Sequence, residues 1–183
     1  MATPIRWTHR GVLGIALTGA AVSLLPSAGS ARNRSAVSRS LSFYNLQTGE
    51  SLDMTYWAEG KYVKPALREA NNLLRDFRTN EVAQIHTDLY DLLHDLRSKL
   101  DSVEPYQIIS GYRSPATNAK LAAKSSGVAR RSLHTRGKAV DVRLPGTELS
   151  DLRRAAKTMR RGGVGLYAKS NFVHLDVGRP RYW

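Results

Sequence analysis

Apolar residues recur at helical spacing in two segments near the middle of the chain. In each segment they return every three or four residues, so they share one face of a helix and leave the opposite face polar. The pattern predicts two amphipathic helices that pack against a core. Their apolar positions are Ala66, Leu67, Ala70, Leu73, Leu74 and Phe77 in the first segment and Ile85, Leu89, Leu92, Leu93, Leu96 and Leu100 in the second.

Strand-like segments lie on both sides of this helical pair. Residues 41–46 and 51–56 flank a polar turn that contains Gly49, which is typical of a β-hairpin. The predicted fold class is α+β, with a small, mainly antiparallel sheet and helices packed against it. Beyond Pro105 the pattern predicts a strand that ends in a polar turn at 106–113, further strands at 138–144, 163–167 and 172–177, and helices at 117–125 and 148–161.

Two of the later strands alternate between apolar and polar positions. Successive side chains of a strand point to opposite faces of the sheet, so Asp141 lies opposite the apolar residues of its strand. His174 and Asp176 likewise share the polar face of the strand at 172–177. Pairing of these two strands in one sheet would bring Asp141 and His174 onto a common face.

The N-terminal segment has the pattern of an export signal. Basic residues precede an apolar run from Gly11 to Leu25, and small residues follow as at a cleavage site. Because this run is too short to span a bilayer comfortably, we expect a signal peptide at 1–31 and no stable membrane span, with an uncleaved membrane tether as the alternative. A Ser- and Arg-rich linker follows at 32–40, and residues 41–183 form one domain.

The amino-acid composition limits the ligands of any metal site and indicates the compartment and the kind of partner. The chain contains no cysteine, so any metal site must use imidazole and carboxylate ligands. The formal net charge is +13. The part of the chain after residue 31 contains 26 basic and 15 acidic residues. Such a charge favours polyanionic surroundings. With an export signal, we expect the periplasm or cell envelope, and no nucleic acid as partner, since no recognition motif interleaves the basic residues.

Three residues form a candidate metal site. His134 lies in a Gly-containing loop seven positions before Asp141, and His174 lies in the later strand beside Asp176. Two imidazoles and one carboxylate are a complete protein ligand set for a catalytic zinc ion, which leaves a fourth position for water. The sequence therefore predicts a zinc site at His134, Asp141 and His174.

The residues around this site resemble a known family. The motif S-x-H-x-x-G-x-A-x-D at 132–141, with S-G-Y-R-S at 110–114 and F-V-H-L-D at 172–176, resembles the zinc murein peptidases. These share a fold with D-Ala-D-Ala carboxypeptidases and the Hedgehog signalling domain. The resemblance extends over residues 41–183 and is greatest to the periplasmic murein endopeptidase branch. It implies zinc bound by the three candidate ligands and hydrolysis of peptide bonds in peptidoglycan.

Two positions depart from the family pattern. Many relatives carry a catalytic Glu three residues before the late histidine, where this chain has Asn171. Others carry a histidine two residues before it, where this chain has Phe172. The resemblance therefore does not supply the general base. Asp176 is the candidate, and its alternative role is to orient a ligand imidazole.

Arg113 is the second candidate catalytic residue. It follows a predicted strand at the position where the family has an arginine near the substrate. A guanidinium matches a carboxylate bidentately, and peptidoglycan peptides offer such carboxylates. We expect Arg113 to clamp the substrate or to stabilise charge on the scissile carbonyl. An exposed turn arginine is the alternative.

The predicted function is a zinc-dependent murein endopeptidase that hydrolyses the peptide cross-links of peptidoglycan. A murein D-Ala carboxypeptidase is one alternative. A non-catalytic, zinc-containing peptidoglycan-binding module is another, and the absence of the family Glu favours it. His86 and His94, in or near the second predicted helix, are expected to be surface or half-buried histidines outside the site.

Overall fold

The fold is α+β, in a computed structural model that describes residues 38–125 and 127–183. The predicted signal peptide and most of the predicted linker lie outside the described residues. The strands are β1 (Arg39–Asn45), β2 (Ser51–Ala58), β3 (Lys61–Tyr62), β4 (Tyr106–Ser110), β5 (Ala139–Arg143), β6 (Gly163–Tyr167), β7 (Phe172–Asp176) and β8 (Arg181–Tyr182). The helices are α1 (Lys64–Leu73), α2 (Thr87–Lys99), α3 (Pro115–Lys124) and α4 (Leu149–Met159).

The predicted hairpin is confirmed. Strands β1 and β2 pair antiparallel, with Phe43 opposite Leu52. Gly49 adopts a φ of +74° in the turn, a conformation that costs glycine little. Strand β1 begins at Arg39, two residues before the predicted start of the domain.

The sheet is larger than predicted, and it is mixed rather than mainly antiparallel. Eight strands lie in the order β3-β2-β1-β4-β5-β7-β6-β8. Strand β1 pairs parallel with β4, and β6 pairs parallel with β8. The first parallel pair is possible because β2, β3, α1 and α2 all lie between β1 and β4 in the chain and return it to the same end of the sheet. The second arises because β8 returns to the free edge of β6 after β7 has paired with the other edge.

Both predicted amphipathic helices are present and contribute to one core, although α1 ends before Phe77 and α2 begins after Ile85. The buried residues Leu73 and Leu74, at the end of α1, and Leu89 and Leu93 of α2 belong to the same apolar cluster as Val142 of β5. Helices α2 and α4 contact each other, and α4 also contacts β6 and β7. Among the helices described here, none combines the length and the apolar character needed to cross a bilayer.

Candidate active site

Two buried polar side chains, those of Asp141 and His174, lie in one row of residues that crosses the sheet. Asp141 of β5 lies directly opposite His174 of β7, as the strand alternation predicts. On either side the row continues to Ser110 of β4 and to Gly165 of β6. Because β5 and β7 lie in the interior of the sheet, hydrogen bonds on both edges fix the backbone beneath the two polar side chains.

His134 reaches the same point from a short 3₁₀ turn, Leu133–Arg136. The Ser132 hydroxyl caps this turn by accepting a hydrogen bond from the His134 N–H. The turn ends at Gly137, with a φ of +62°, where a Cβ atom would lie 2.2 Å from the carbonyl oxygen of Gln84. Only glycine fits this close approach, so Gly137 allows the loop to bring His134 back over Asp141.

Hydrogen bonds on the outer sides of the two imidazoles fix their tautomers. His134 Nδ1 lies 2.7 Å from the carbonyl oxygen of Gly111, and His174 Nε2 lies 2.9 Å from Asp176 Oδ2. Both partners are acceptors, so these two ring nitrogens carry the hydrogens. The inner nitrogens, His134 Nε2 and His174 Nδ1, therefore direct lone pairs into the centre of the cluster.

Three electron-donating atoms converge there, and they fit a metal ion. The two inner nitrogens are 3.2 Å apart, and Asp141 Oδ1 lies 3.2 Å from His134 Nε2 and 2.9 Å from His174 Nδ1. Ligand atoms held tetrahedrally at about 2.0–2.1 Å from a zinc ion would be separated by about 3.3 Å. His134, Asp141 and His174, all buried, could thus hold a metal ion, and we call them the His–Asp–His cluster.

Electrostatics favours the protonation states that metal binding requires at Asp141 and His134, but not at His174. Burial alone would raise the pKa of Asp141, but the two histidines outweigh it and hold that pKa well below its usual range. Burial lowers the pKa of His134 and favours its neutral form. For His174, burial acts in the same direction, but hydrogen bonds to Asp141 and Asp176 raise its pKa. A cation between the three residues would take the place of this extra proton.

Asp176 lies behind His174, on the side away from the other two cluster residues. Its Oδ1 accepts hydrogen bonds from the Gly163 and Gly178 N–H groups, and both of its oxygens contact the Arg181 guanidinium. The side chain is completely buried. Of the two predicted roles, these contacts favour orientation of the ligand imidazole over general base, because neither oxygen is free to contact a substrate or a water in the groove.

Arg113 is tied to the cluster through Asp141. Its Nη2 lies 2.5 Å from Asp141 Oδ2, and its Nε donates to the Ser110 hydroxyl at 2.9 Å. Asp141 therefore presents Oδ1 to the histidines and Oδ2 to Arg113. The Arg113 side chain is only 12% exposed, so the alternative of an exposed turn arginine does not hold.

A small groove opens onto the cluster, with a volume of about 140 Å³. Trp183 forms part of its wall, with its indole centroid 5.3 Å from that of His174 and its Nε1 donating to the Tyr167 hydroxyl. Tyr167 in turn stacks on Phe172. The groove is lined by Arg113, Gly127, Val128, Ala129, Arg131, Ser132, Leu133, His134, Asp141, Tyr167, Phe172, His174, Arg181 and Trp183.

Comparison with known proteins identifies the family. A peptidase family model described as peptidoglycan L,D-endopeptidase MepK matches residues 33–183. The chain belongs to this peptidase family. The peptidase is 44% identical over 170 residues to peptidoglycan L,D-endopeptidase MepK of Escherichia coli K12. The aligned residues make up 93% of this chain and 92% of the relative. It is 36% identical over 179 residues to the probable peptidoglycan L,D-endopeptidase MepK of Haemophilus influenzae Rd. This alignment covers 97% of this chain and 94% of that relative. No solved structure gives a significant match.

The two positions that depart from the wider pattern lie at the start of β7 in the peptidase. Asn171 is exposed and left-handed, with a φ of +54°, at the turn that precedes the strand. Phe172 lines the groove. Apart from Asp141, no carboxylate lines the groove within the described part of the chain. His86 and His94 do not line it either, and His94 packs half-buried against Tyr56.

Sequence reasoning did not find three supporting groups of the peptidase. The Gly111 carbonyl fixes His134, Arg181 holds Asp176, and Trp183 covers His174. Gly111 could have been found, since it lies inside the S-G-Y-R-S motif. Arg181 and Trp183 follow the last predicted strand, in a segment without periodicity or a motif.

Proposed function

We propose that this peptidase is a zinc-dependent murein endopeptidase that hydrolyses peptide cross-links of peptidoglycan in the periplasm or cell envelope. The convergence of His134 Nε2, His174 Nδ1 and Asp141 Oδ1 carries this proposal. Family membership supports the substrate, because its curated relatives are named peptidoglycan L,D-endopeptidases. An N-terminal segment with the pattern of an export signal supports the compartment.

In this proposal each residue near the cluster has a defined task. His134, Asp141 and His174 would hold the ion, which when bound would supply Lewis acidity towards the scissile carbonyl and lower the pKa of water. Asp176 keeps the hydrogen of His174 on Nε2, so that Nδ1 remains available as a ligand. Arg113 holds Oδ2 of Asp141 and leaves Oδ1 to face the two imidazoles.

The groove determines what can approach the ion. Its aromatic wall, made by Tyr167, Phe172 and Trp183, shields one side of the cluster from bulk water. Lower local polarity in the groove strengthens the electrostatic interactions that the Arg113 guanidinium makes there. Arg113 lies at the Asp141 side of the groove, where its positive charge stabilises an anion on the scissile carbonyl.

Zinc content and muropeptide release, measured on the same preparation before and after chelation, test the proposal. We expect about one zinc per chain, and new muropeptides from purified sacculi that disappear on chelation and return when zinc is added. New monomers from cross-linked dimers indicate an endopeptidase, whereas release of free D-Ala indicates a carboxypeptidase. Bound zinc without any soluble product contradicts the enzyme and favours the non-catalytic binding module.

A further inference from the structure

Three guanidinium groups line the groove, and two of them already have a carboxylate partner. Arg113 is paired with Asp141, and Arg181 is paired with Asp176 through both of its terminal nitrogens. These pairs are part of the scaffold that orients the cluster. Neither guanidinium is therefore free to bind a substrate carboxylate through two parallel hydrogen bonds.

Arg131 differs from the other two. Its side chain is exposed, and it makes no hydrogen bond or ion pair with any residue that the structure describes. Its backbone position is nevertheless fixed, because the next residue, Ser132, is buried and caps the turn that carries His134. The structure therefore holds a free guanidinium on the rim of the groove, three residues from a cluster histidine.

The negative groups near the cluster do not compete for this guanidinium. Asp141 is 3% exposed and Asp176 is 0% exposed, and each is held by its own arginine. An unpaired guanidinium presents a planar fork of N–H donors, which matches a carboxylate with two parallel hydrogen bonds. The chemistry of the rim is thus suited to a free carboxylate that enters with the substrate.

We propose that Arg131 determines specificity by binding a free carboxylate of the substrate peptide next to the scissile bond. This inference rests on the proposed endopeptidase function and adds to it the group that the enzyme recognises. The substrate is then a cross-linked peptide in which that carboxyl group is an acid, and the corresponding amide is a poor substrate.

The neighbouring residue provides a matched control. Arg130 is also an exposed arginine, but it lines a different cavity, beside Asn118 and Ala119 of α3. Substitution of either residue removes the same charge from the same loop. Only substitution of Arg131 removes a guanidinium from the groove.

The experiment uses two synthetic cross-linked peptide dimers that differ in one group, a carboxylic acid or its amide beside the scissile bond. Zinc-loaded wild-type protein, R131Q, R131K and R130Q are compared on both. We expect the wild type to cleave the acid with a higher kcat/KM than the amide. In R131Q this ratio should be about tenfold smaller, mainly because KM for the acid rises. R131K keeps the charge without the fork and retains an intermediate preference. R130Q behaves as the wild type.

The results that contradict the role of Arg131 differ from the result that contradicts the proposed function. Equal cleavage of the acid and the amide by the wild type overturns the inference, as does an equal loss of preference in R130Q and R131Q. Equal preference in R131Q and the wild type also overturns it. Zinc-loaded wild-type protein that cleaves neither dimer, nor any muropeptide of purified sacculi, contradicts the proposed function instead.

Discussion

The Asp141 carboxylate and the His174 imidazole lie directly opposite each other on neighbouring antiparallel strands, with Oδ1 2.9 Å from Nδ1. Their proximity is a consequence of register, since a slip by one residue would turn either side chain to the apolar face. The same apolar face is packed against the helices, so burial of Val140 and Leu175 enforces the register that brings the two polar groups together.

Removal of His134 is expected to abolish zinc binding and hydrolysis. H134A takes away one of the three converging ligand atoms, while Asp141 and His174 remain fixed by the sheet. We expect zinc content to fall from about one per chain to near zero, with muropeptide release lost and the circular dichroism spectrum preserved. H94A, which alters a histidine on α2 outside the groove, should keep both zinc and activity. Full activity in zinc-depleted H134A would contradict the metal mechanism.

Substitution of Asp176 separates orientation from proton transfer. In D176N the hydrogen-bond partner of His174 Nε2 loses its charge, and we expect zinc affinity to fall by about 10–100-fold. Turnover should return towards the wild-type value at saturating zinc if Asp176 orients the ligand. Turnover that stays low at every zinc concentration, with loss of the acidic limb of the pH–rate profile, would assign proton transfer to Asp176.

Gly165 and Trp183 are expected to be energetically coupled. A Cβ atom at residue 165 would lie 2.4 Å from the indole ring, so G165A must displace Trp183 from the wall beside His174. Overpacking of this kind lowers the free energy of unfolding by about 1–3 kcal/mol. W183A removes the obstacle, and in that background the Gly165 substitution should cost little. Additive costs in denaturant unfolding of the two single variants and the double variant would argue against the contact.

The buried carboxylate of Asp76 should make stability depend on acidic pH. Burial alone would raise its pKa, but hydrogen bonds from Thr117, Ser114 and Arg78 lower the pKa to about 2. A folded-state pKa below the unfolded value of about 3.9 gives stability that is complete above that value and is lost as the pH falls through 2.

Unfolding of D76N at several pH values measures this contribution. We expect D76N to be less stable than the wild type by about 2 kcal/mol at pH 7, and the difference to vanish as the pH falls from about 4 towards 2. The exposed Asp53 of β2 offers a matched control, since D53N removes the same charge from the surface and leaves the buried carboxylate in place. A difference between D76N and the wild type that is constant over this range would show that the carboxylate charge does not contribute.

Strand alternation was sufficient to predict how the sheet presents its polar residues. The segments that contain Asp141 and His174 have period two, and their pairing follows from burial of the apolar face. The two parallel pairs of strands were not predictable in this way, because β1 and β4 are distant in sequence and β8 has only two residues. Pairing between distant strands has no local signal.

Side-chain partners were harder to predict than positions. The sequence indicates Arg113 and Asp176 as polar residues near the cluster, but their tasks depend on which atoms they contact. Arg113 pairs with Asp141, and Asp176 is enclosed by Arg181 and two backbone N–H groups. These contacts join segments far apart in the chain, so no spacing rule reveals them.

The Gly111 carbonyl, Asp176 and Arg113 fix the three cluster side chains through contacts that do not involve the ion. In the proposed zinc enzyme, folding and metal loading are then separate events. The chain can then complete its sheet first and acquire the proposed ion afterwards, at a rate set by entry through the groove rather than by folding. The supply of the ion would then control how many finished molecules of the proposed enzyme are active, without changing how many are folded.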